Sequence, residues 1–269
     1  MDLASIVGVV VALGAVVLGV LLEGGKLTSF LSLSSGLIVL GGSAGAVLIG
    51  AAMDDVKRIP KLAMSIMKPH PIDWHQAVKD MSALAVSARR EGLLSLESAV
   101  TNQKDDFIRC GLRLIVDGAD SEILCQVLDT RLEASEEEHK RGEKIFEQFG
   151  GYLPTLGIVG TVTGLIHVLG NLSEPEKLGH SIAVAFIATL YGIAFSNLVF
   201  LPFASKLKVN AEKESRYYRM ITTGLMAVQA GENPLVTEEK MRSYITEAPA
   251  AAGGSKKRGA HGGESAFAT

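Results

Sequence analysis

The chain has 269 residues, and its 26 Lys and Arg residues are nearly balanced by 29 Asp and Glu residues. A nucleic-acid-binding surface needs a basic excess, so this balance argues against nucleic acid as a partner. With only two cysteines, the chain is not a disulfide-rich secreted scaffold. Its composition is typical of a membrane protein, with 48% hydrophobic residues, 29 glycines and a mean hydropathy of +0.29.

Four runs without Asp, Glu, Lys or Arg predict four transmembrane helices. They are residues 3–22, 27–53, 149–173 and 181–205. Each run reaches the roughly 20 residues that a helix needs to cross about 30 Å of hydrocarbon. The alternative, a set of buried helices in a soluble protein, does not account for four such runs in one chain.

The positive charges predict the orientation of these helices. Residues 53–149 and 204–269 together hold 24 of the 26 Lys and Arg residues, and the short loops 23–28 and 171–180 hold one each. Membrane proteins keep positive loops in the cytoplasm. We therefore expect both termini and the long segment between helices 2 and 3 to be cytoplasmic, with membrane lipid around the four helices.

These patterns divide the chain into five segments and predict an all-α membrane protein with four transmembrane helices. Transmembrane helices 1 and 2 occupy 1–53, and a large helical cytoplasmic domain occupies 54–148. Transmembrane helices 3 and 4 occupy 149–205, and a cytoplasmic C-terminal helix occupies 206–247. Residues 248–269, dominated by Ala, Gly, Ser and Lys, are expected to be a disordered tail.

Apolar residues in the cytoplasmic segment recur at spacings of three and four, which predicts amphipathic helices. The stripes comprise Ala77, Met81, Leu84, Ala85 and Ala88, then Leu93, Leu94, Leu96 and Val100, then Phe107, Ile108, Leu112, Ile115 and Val116. Ser121 is a candidate N-cap for a long helix. We expect that helix to continue past the acidic cluster Glu136–Glu138 into the third span as a single rod.

The third and fourth spans carry small and hydroxyl residues on one face each. The faces comprise Gly150, Pro154, Gly157, Thr161, Gly164 and Val168 in one helix, and Ala185, Thr189, Gly192 and Ser196 in the other. Close helix packing alone explains such faces. Alternatively, the hydroxyl oxygens face Na⁺ or ordered water, and a partner helix meeting the Gly157–Thr161–Gly164 face brings the carboxylate that these spans lack.

No residue pattern in the chain supports catalysis or a bound cofactor. There is no P-loop, no nucleophile motif and no His or Cys spacing typical of a metal site. Cys110 and Cys125 are interpreted as small hydrophobic residues. The segment from Arg89 to Glu97 is, by composition alone, a solvated charged face.

Several longer segments resemble those of the MotA/PomA family of flagellar stator subunits. They are MDLASIVG at the start, ARREGLLSLE (88–97), IVDGAD (115–120), GGYLPTLGIVGTVTGLIHVLGNL (150–172), GHSIAVAFIATLYGIAFSNLVFLPFASKLK (179–208) and GENP (231–234). The resemblance covers about residues 1–247, which is nearly everything except the tail.

The resemblance implies a function as well as a fold. Family members form a ring, understood to be a pentamer, around two membrane helices of a MotB-like partner dimer. Each partner chain has a single span with an Asp, and flow of H⁺ or Na⁺ past that Asp drives rotation. The cytoplasmic domain then pushes the rotor protein FliG. The protein would lie in the bacterial inner membrane, with no cofactor beyond the transported ion.

The resemblance also implies roles for particular residues. Thr161, Thr189, Thr155 and Ser196 would line the ion pathway, Pro154 and Pro202 would belong to the conformational step, and Arg89, Arg90 and Glu97 would engage the rotor. Thr161 is typical of sodium-driven relatives. Ala188 stands where sodium-driven relatives tend to have a second Thr, so both H⁺ and Na⁺ remain open, with Thr161 favouring Na⁺.

Two other functions are compatible with parts of the pattern. The first is an energy-transducing subunit like ExbB or TolQ, but those relatives usually have three spans, and the Arg89–Glu97 segment favours the motor. The second is a structural membrane scaffold whose small-residue faces only pack helices together. A neighbouring gene for a single-span partner with a membrane Asp would favour the stator.

Overall fold

The structure is a computed structural model that describes residues 3–25, 27–67, 72–170 and 175–245. Those ranges contain helices and short turns and no β-strand, in agreement with the predicted all-α fold. The predicted disordered tail, 248–269, lies outside the described residues.

The N-terminal apolar region forms two helical rods. The first is α1, Leu3–Leu22. After a 3-10 turn, Leu27–Phe30, the second rod consists of α2, a π turn and α3, whose bounds are Leu33–Gly36, Leu37–Gly41 and Gly42–Gly50. Ser32 caps this rod, since its hydroxyl accepts a hydrogen bond from the Ser35 backbone N–H.

Four helices follow before the longest one. They are α4, α5, α6 and α7, whose bounds are Met53–Met67, Trp74–Glu91, Glu97–Asn102 and Asp106–Val116, with a 3-10 turn, Leu93–Leu96, between α5 and α6. Asp73 and Asp105 cap the N-termini of α5 and α7, because each carboxylate accepts hydrogen bonding from the backbone N–H groups of the first turn.

The remaining helices include two very long ones. Helix α8, Ser121–Gly170, has 50 residues and is therefore about 75 Å long. Helix α9, Pro175–Phe195, continues through a π turn, Ser196–Phe200, into α10, Leu201–Gln229. The prediction of a single rod that enters the third span is confirmed, since α8 runs unbroken through Pro154. The last helix, α11, comprises Pro234–Arg242.

Three local expectations differ from the structure. Ser121 is the first residue of α8 rather than the residue before it. Leu94 is 74% exposed, because Gly92 ends α5 at a φ of +85° and the 3-10 turn that follows breaks the apolar stripe. The C-terminal helix expected over 206–247 is two helices, because the chain turns at Gly231, where φ is +65°.

Helix length and hydropathy identify the segments able to cross a membrane. Within the described residues, three helical stretches are long and apolar enough, namely Leu33–Gly50, part of Ser121–Gly170 and part of Ser181–Gln229. The first predicted span is represented by a shorter apolar stretch, Val7–Leu22, within α1.

Two clusters of buried side chains lie at different positions along the long helices. The larger cluster joins α5, α7, α11, the start of α8 and the end of α10; its fully buried members include Met81, Leu112, Leu124, Leu128, Ile221, Leu225 and Met241. The smaller cluster joins Val39, Leu153 and Ala188 in the apolar rods. Since α8 contributes to both clusters, it connects the apolar region to the helical domain.

Candidate functional site

Helices α8 and α9 cross with their backbones in direct contact. A Cβ atom added at Gly192 would lie 2.5 Å from the Leu153 carbonyl oxygen and 3.2 Å from the Gly157 Cα. A Cβ at Gly157 would lie 3.0 Å from the Ala188 carbonyl oxygen. Only glycine therefore allows this approach, as is common between membrane helices.

The contact continues one turn further along α8. A Cβ at Gly160 would lie 2.7 Å from the Ala188 Cβ, and one at Gly164 would lie 2.6 Å from the Ala185 Cβ. We expected the face of α8 that carries Gly157 and Gly164 to meet a partner helix. That expectation is wrong for these glycines, because α9 of the same chain covers them.

Two threonine hydroxyls meet within this helix pair. The hydroxyls of Thr161 and Thr189 are hydrogen-bonded to each other, and both side chains are half-buried. The Thr161 oxygen also lies 3.1 Å from the Gly157 carbonyl oxygen and 3.0 Å from the Ala185 carbonyl oxygen. Four uncharged oxygen atoms thus converge where α8 and α9 cross, and oxygen is the ligand type preferred by hard cations.

Ser196 lies two turns from this cluster and has a different partner. Its hydroxyl donates a hydrogen bond to the Gly150 carbonyl, with an oxygen–oxygen distance of 2.7 Å, and its side chain is 1% exposed. In an α-helix, the Gly150 carbonyl would accept from the N–H of residue 154. That residue is Pro154, which has no N–H, so Ser196 satisfies the carbonyl that the proline leaves free.

Thr155 is not part of either arrangement. It is exposed, and its hydroxyl donates to the Tyr152 carbonyl of its own helix at 2.8 Å. Six residues separate it from Thr161, which places the two side chains about 120° apart around α8. Of the four threonine and serine residues assigned to an ion pathway, the structure therefore brings only Thr161 and Thr189 together.

Pro202, the second proline assigned to the conformational step, follows the π turn that links α9 to α10. Leu201 closes this turn by donating its N–H to the Ser196 carbonyl. A cavity of about 450 Å³ lies beside the rod, between α1, α4 and α10; its lining includes Gly8, Ala12, Ile66, Leu198, Pro202 and Phe203. Pro202 thus borders open space, whereas Ser196 faces α8.

The three charged residues predicted to engage the rotor lie together at one corner. Arg89 and Arg90 lie in the last turn of α5 and Glu97 is the first residue of α6, so the 3-10 turn separates the pair of cations from the anion. All three are exposed, and no ion pair between described residues includes them. Their charges are therefore available to another molecule.

Ion pairs join α8 to neighbouring helices at residues that precede its apolar run, 149–173. Arg58 of α4 and Glu138 are 2.6 Å apart, and Arg219 of α10 and Glu136 are 3.0 Å apart. Hydrogen bonding from Ser215 and Arg219 outweighs partial burial and lowers the pKa of Glu136 below its usual value. These contacts join α8 to α4 and to α10 over the stretch that links the two buried clusters.

Sequence reasoning missed the polar contacts that anchor the second apolar rod. The Tyr191 hydroxyl donates to the Phe30 carbonyl and accepts from the Ser32 N–H at 3.2 Å. The Ser35 hydroxyl donates to the Val184 carbonyl at 3.1 Å. The available signal was a tyrosine inside an uncharged run, because a buried tyrosine hydroxyl usually has a hydrogen-bond partner.

Comparison with known proteins places this arrangement in a family. Residues 99–220 match the MotA/TolQ/ExbB proton channel family, and residues 6–92 match the family described as Motility protein A N-terminal. Motility protein A of Bacillus subtilis (strain 168) is 34% identical over 91% of each chain. Chemotaxis protein PomA of Vibrio alginolyticus is 33% identical over 92% of this chain and 96% of its own.

Two solved structures share the fold. C. jejuni MotAB superposes with a TM-score of 0.88 at 31% identity, covering 92% of this chain and 97% of that chain. The flagellar MotAB stator complex from Bacillus subtilis gives a TM-score of 0.84 at 34% identity, covering 89% and 94%. The resemblance drawn from the sequence motifs is thereby confirmed. The chain belongs to the MotA/TolQ/ExbB proton channel family, and it is a MotA-like stator subunit.

Proposed function

We propose that this chain converts ion flow through the membrane into rotation that acts on a rotor through its cytoplasmic corner. The observation that carries the proposal is the continuity of α8. Leu124 of α8 is buried in the helical domain, and Thr161 of the same helix lies about 55 Å away at the crossing with α9. A movement at the crossing would therefore be transmitted to the domain that carries Arg89 and Glu97.

The proposed topology has four spans and two cytoplasmic termini in the bacterial inner membrane. The spans are α1, the rod formed by α2 and α3, the second half of α8, and α9. Support comes from the apolar character of these helices and from the asymmetric placement of the Lys and Arg residues. The domain built around α5, α7 and the ends of α8 and α10 would then lie in the cytoplasm.

The proposed assembly is a ring of five copies around two membrane helices of a MotB-like partner dimer. Two of the related structures are MotAB complexes, which supports a partner of this kind. A partner is also required chemically, because the apolar runs 149–173 and 181–205 hold no Asp or Glu, and ion passage usually needs an ionisable group at depth. The partner would supply an Asp.

Ion flux measured with and without the partner tests this assembly. We expect the purified chain in liposomes to conduct neither H⁺ nor Na⁺, and we expect flux when the single-span partner is co-reconstituted. Gradient-driven flux by the chain alone, at a rate matching that of the complex, would falsify the requirement for a partner carboxylate.

The transported ion is proposed to be Na⁺, with H⁺ as the second candidate. Thr161 and Thr189 provide two hydroxyl oxygens beside two backbone carbonyls, a donor set suited to Na⁺. The side chain of Ala188 adds no oxygen to this set, and Ala188 is only 2% exposed because it packs against Gly160. H⁺ stays a candidate because the same oxygens would also hold an ordered water beside a protonating Asp.

Removing one hydroxyl tests the choice of ion. Thr161→Ala should raise the external Na⁺ concentration that half-maximal swimming requires, whereas Thr161→Ser, which keeps the oxygen, should be milder. Thr163→Ala is the control, because Thr163 is exposed and donates only to the Val159 carbonyl of its own helix. Unchanged swimming when K⁺ replaces Na⁺, together with arrest by a protonophore, would instead establish H⁺ as the ion.

A further inference from the structure

We infer that Ser196 is a positioning residue that joins Pro154 and Pro202 into one hinge. Its hydroxyl replaces the hydrogen bond that Pro154 removes from α8, and its backbone carbonyl closes the π turn that precedes Pro202. This inference rests on the proposed function only for the statement that the hinge moves during rotation. The bonding that defines the hinge does not depend on it.

The first part of the argument concerns the Gly150 carbonyl. An unsatisfied carbonyl inside a membrane protein is strongly unfavourable, so a proline in a spanning helix needs a neighbour that supplies a donor. Ser196 is that neighbour, and the contact is fully enclosed because both Ser196 and Gly150 are buried. The hydroxyl is therefore committed to α8 and is not free to line an ion pathway in this conformation.

The second part concerns the rod that carries Ser196. A π turn places one extra residue in a helical turn and often marks a functional position. Here the extra residue lies between Ser196 and Leu201, where the Leu201 N–H reaches back to the Ser196 carbonyl. Ser196 thus holds α8 with its side chain while its main chain holds the segment that leads into Pro202.

Packing around the bond ties the two segments together. A Cβ at Gly150 would lie 2.5 Å from the Leu201 Cδ2 atom, so Leu201 occupies the space that a side chain at position 150 would fill. The Phe149 and Phe200 rings stack beside it, with centroids 4.7 Å apart. By contrast, Pro202 borders the 450 Å³ cavity. The hinge is thus packed against α8 at Ser196 and borders unfilled space at Pro202.

A double-mutant cycle on the complex with its partner tests the bond. Ser196→Ala should leave the Gly150 carbonyl unpaired and lower the thermal unfolding midpoint by roughly 2–10 °C. Pro154→Ala restores a backbone N–H that can donate to the same carbonyl. In the Pro154→Ala background, Ser196→Ala should therefore lower the midpoint by less than about 2 °C. Equal midpoint losses in the two backgrounds would overturn the inference.

Ser35→Ala is a matched control. Ser35 is 2% exposed and donates to the Val184 carbonyl on another helix, as Ser196 does to Gly150. The Val184 carbonyl, however, also accepts from the N–H of Ala188 within α9, so this carbonyl keeps a hydrogen-bond donor when the Ser35 hydroxyl is removed. We expect a smaller midpoint loss than for Ser196→Ala, and the same loss with or without Pro154. A dependence on Pro154 would show that the cycle reports general packing and would contradict the inference.

Rotation supplies the readout that a merely structural residue would not change. With complexes present at equal amounts in the membrane, Ser196→Ala should reduce rotation speed at a given load, and adding Pro154→Ala should restore the unfolding midpoint without restoring the speed. Full speed in Ser196→Ala cells would overturn the positioning role. If ion flux is absent in the unmodified complex, the proposed function fails, while the unfolding cycle still tests the bond.

Discussion

Gly192→Ala should destabilise the subunit because the added methyl group has no space at the α8–α9 crossing. Its Cβ would lie 2.5 Å from the Leu153 carbonyl oxygen and 3.2 Å from the Gly157 Cα. Both neighbours are backbone atoms of α8, so no side chain can rotate away to make room. The helices themselves would have to separate, which would also lengthen the contact between the Thr161 and Thr189 hydroxyls.

The expected magnitude follows from two opposing effects. Overpacking in a close-packed interior destabilises by about 1–3 kcal/mol. Replacing glycine by alanine inside a helix contributes about 0.5–1 kcal/mol in the opposite direction. Because backbone atoms cannot relax locally, we expect a net loss of about 1–2 kcal/mol for Gly192→Ala, which corresponds to roughly 2–8 °C in the thermal unfolding midpoint of a domain of this size.

Gly151→Ala is the control within the same helix pair. Among the described residues, no atom beyond the adjoining turns of its own helix lies within 4 Å of a Cβ built at Gly151, so only the favourable change in helix propensity remains. The assay is thermal unfolding of the detergent-purified complex, followed by its tryptophan fluorescence or by retention of the partner. Indistinguishable midpoints for Gly192→Ala and Gly151→Ala would refute the conclusion that α8 and α9 touch through their backbones.

Two further predictions concern the helical domain built around α5, α7 and the ends of α8 and α10. The hydrogen bond from Ser215 and the contact with Arg219 lower the pKa of Glu136, so these contacts stabilise the fold above a pH of about 4.3, and this stabilisation is lost as the pH falls further. Glu136→Gln should therefore unfold with a weaker pH dependence below about pH 4.3, and an unchanged dependence would contradict this. Arg89→Glu or Glu97→Lys should abolish swimming without reducing membrane insertion or partner retention. A complementary charge reversal on FliG should restore swimming. If either variant instead fails to assemble with the partner, these residues stabilise the subunit rather than engage a rotor.

Much of the fold follows from patterns visible in the sequence. The uncharged runs locate the apolar helices, and positions spaced three and four apart, such as Met81 and Leu112, are buried in the domain core. The unbroken passage of α8 through Pro154 follows from the periodicity on both sides of the proline. These features are local, so a single segment contains the information needed to predict them.

The roles of the hydroxyl residues depend on which helix lies opposite, and sequence periodicity does not contain that information. Ser196 and Thr189 share one face of the same rod, but Ser196 lies opposite a proline-freed carbonyl and Thr189 lies opposite Thr161. Similarly, a stripe of glycines indicates a close approach without identifying the neighbour. Here the neighbour is α9 of the same chain, which packs against α8 as an antiparallel helix.

The position of Thr155 leads to a last prediction about the ion pathway. Thr155 and Thr161 lie about 120° apart on α8, so their side chains point to different faces of the helix. Thr161 sits at the half-buried crossing with Thr189, whereas Thr155 is exposed and bonded to its own helix. If the pathway runs beside the crossing, Thr161→Ala should reduce ion flux through the partner complex at least tenfold more than Thr155→Ala. Equal reductions would place Thr155 on the pathway too, and adjacent copies would then have to present different faces of α8 to the same partner helix.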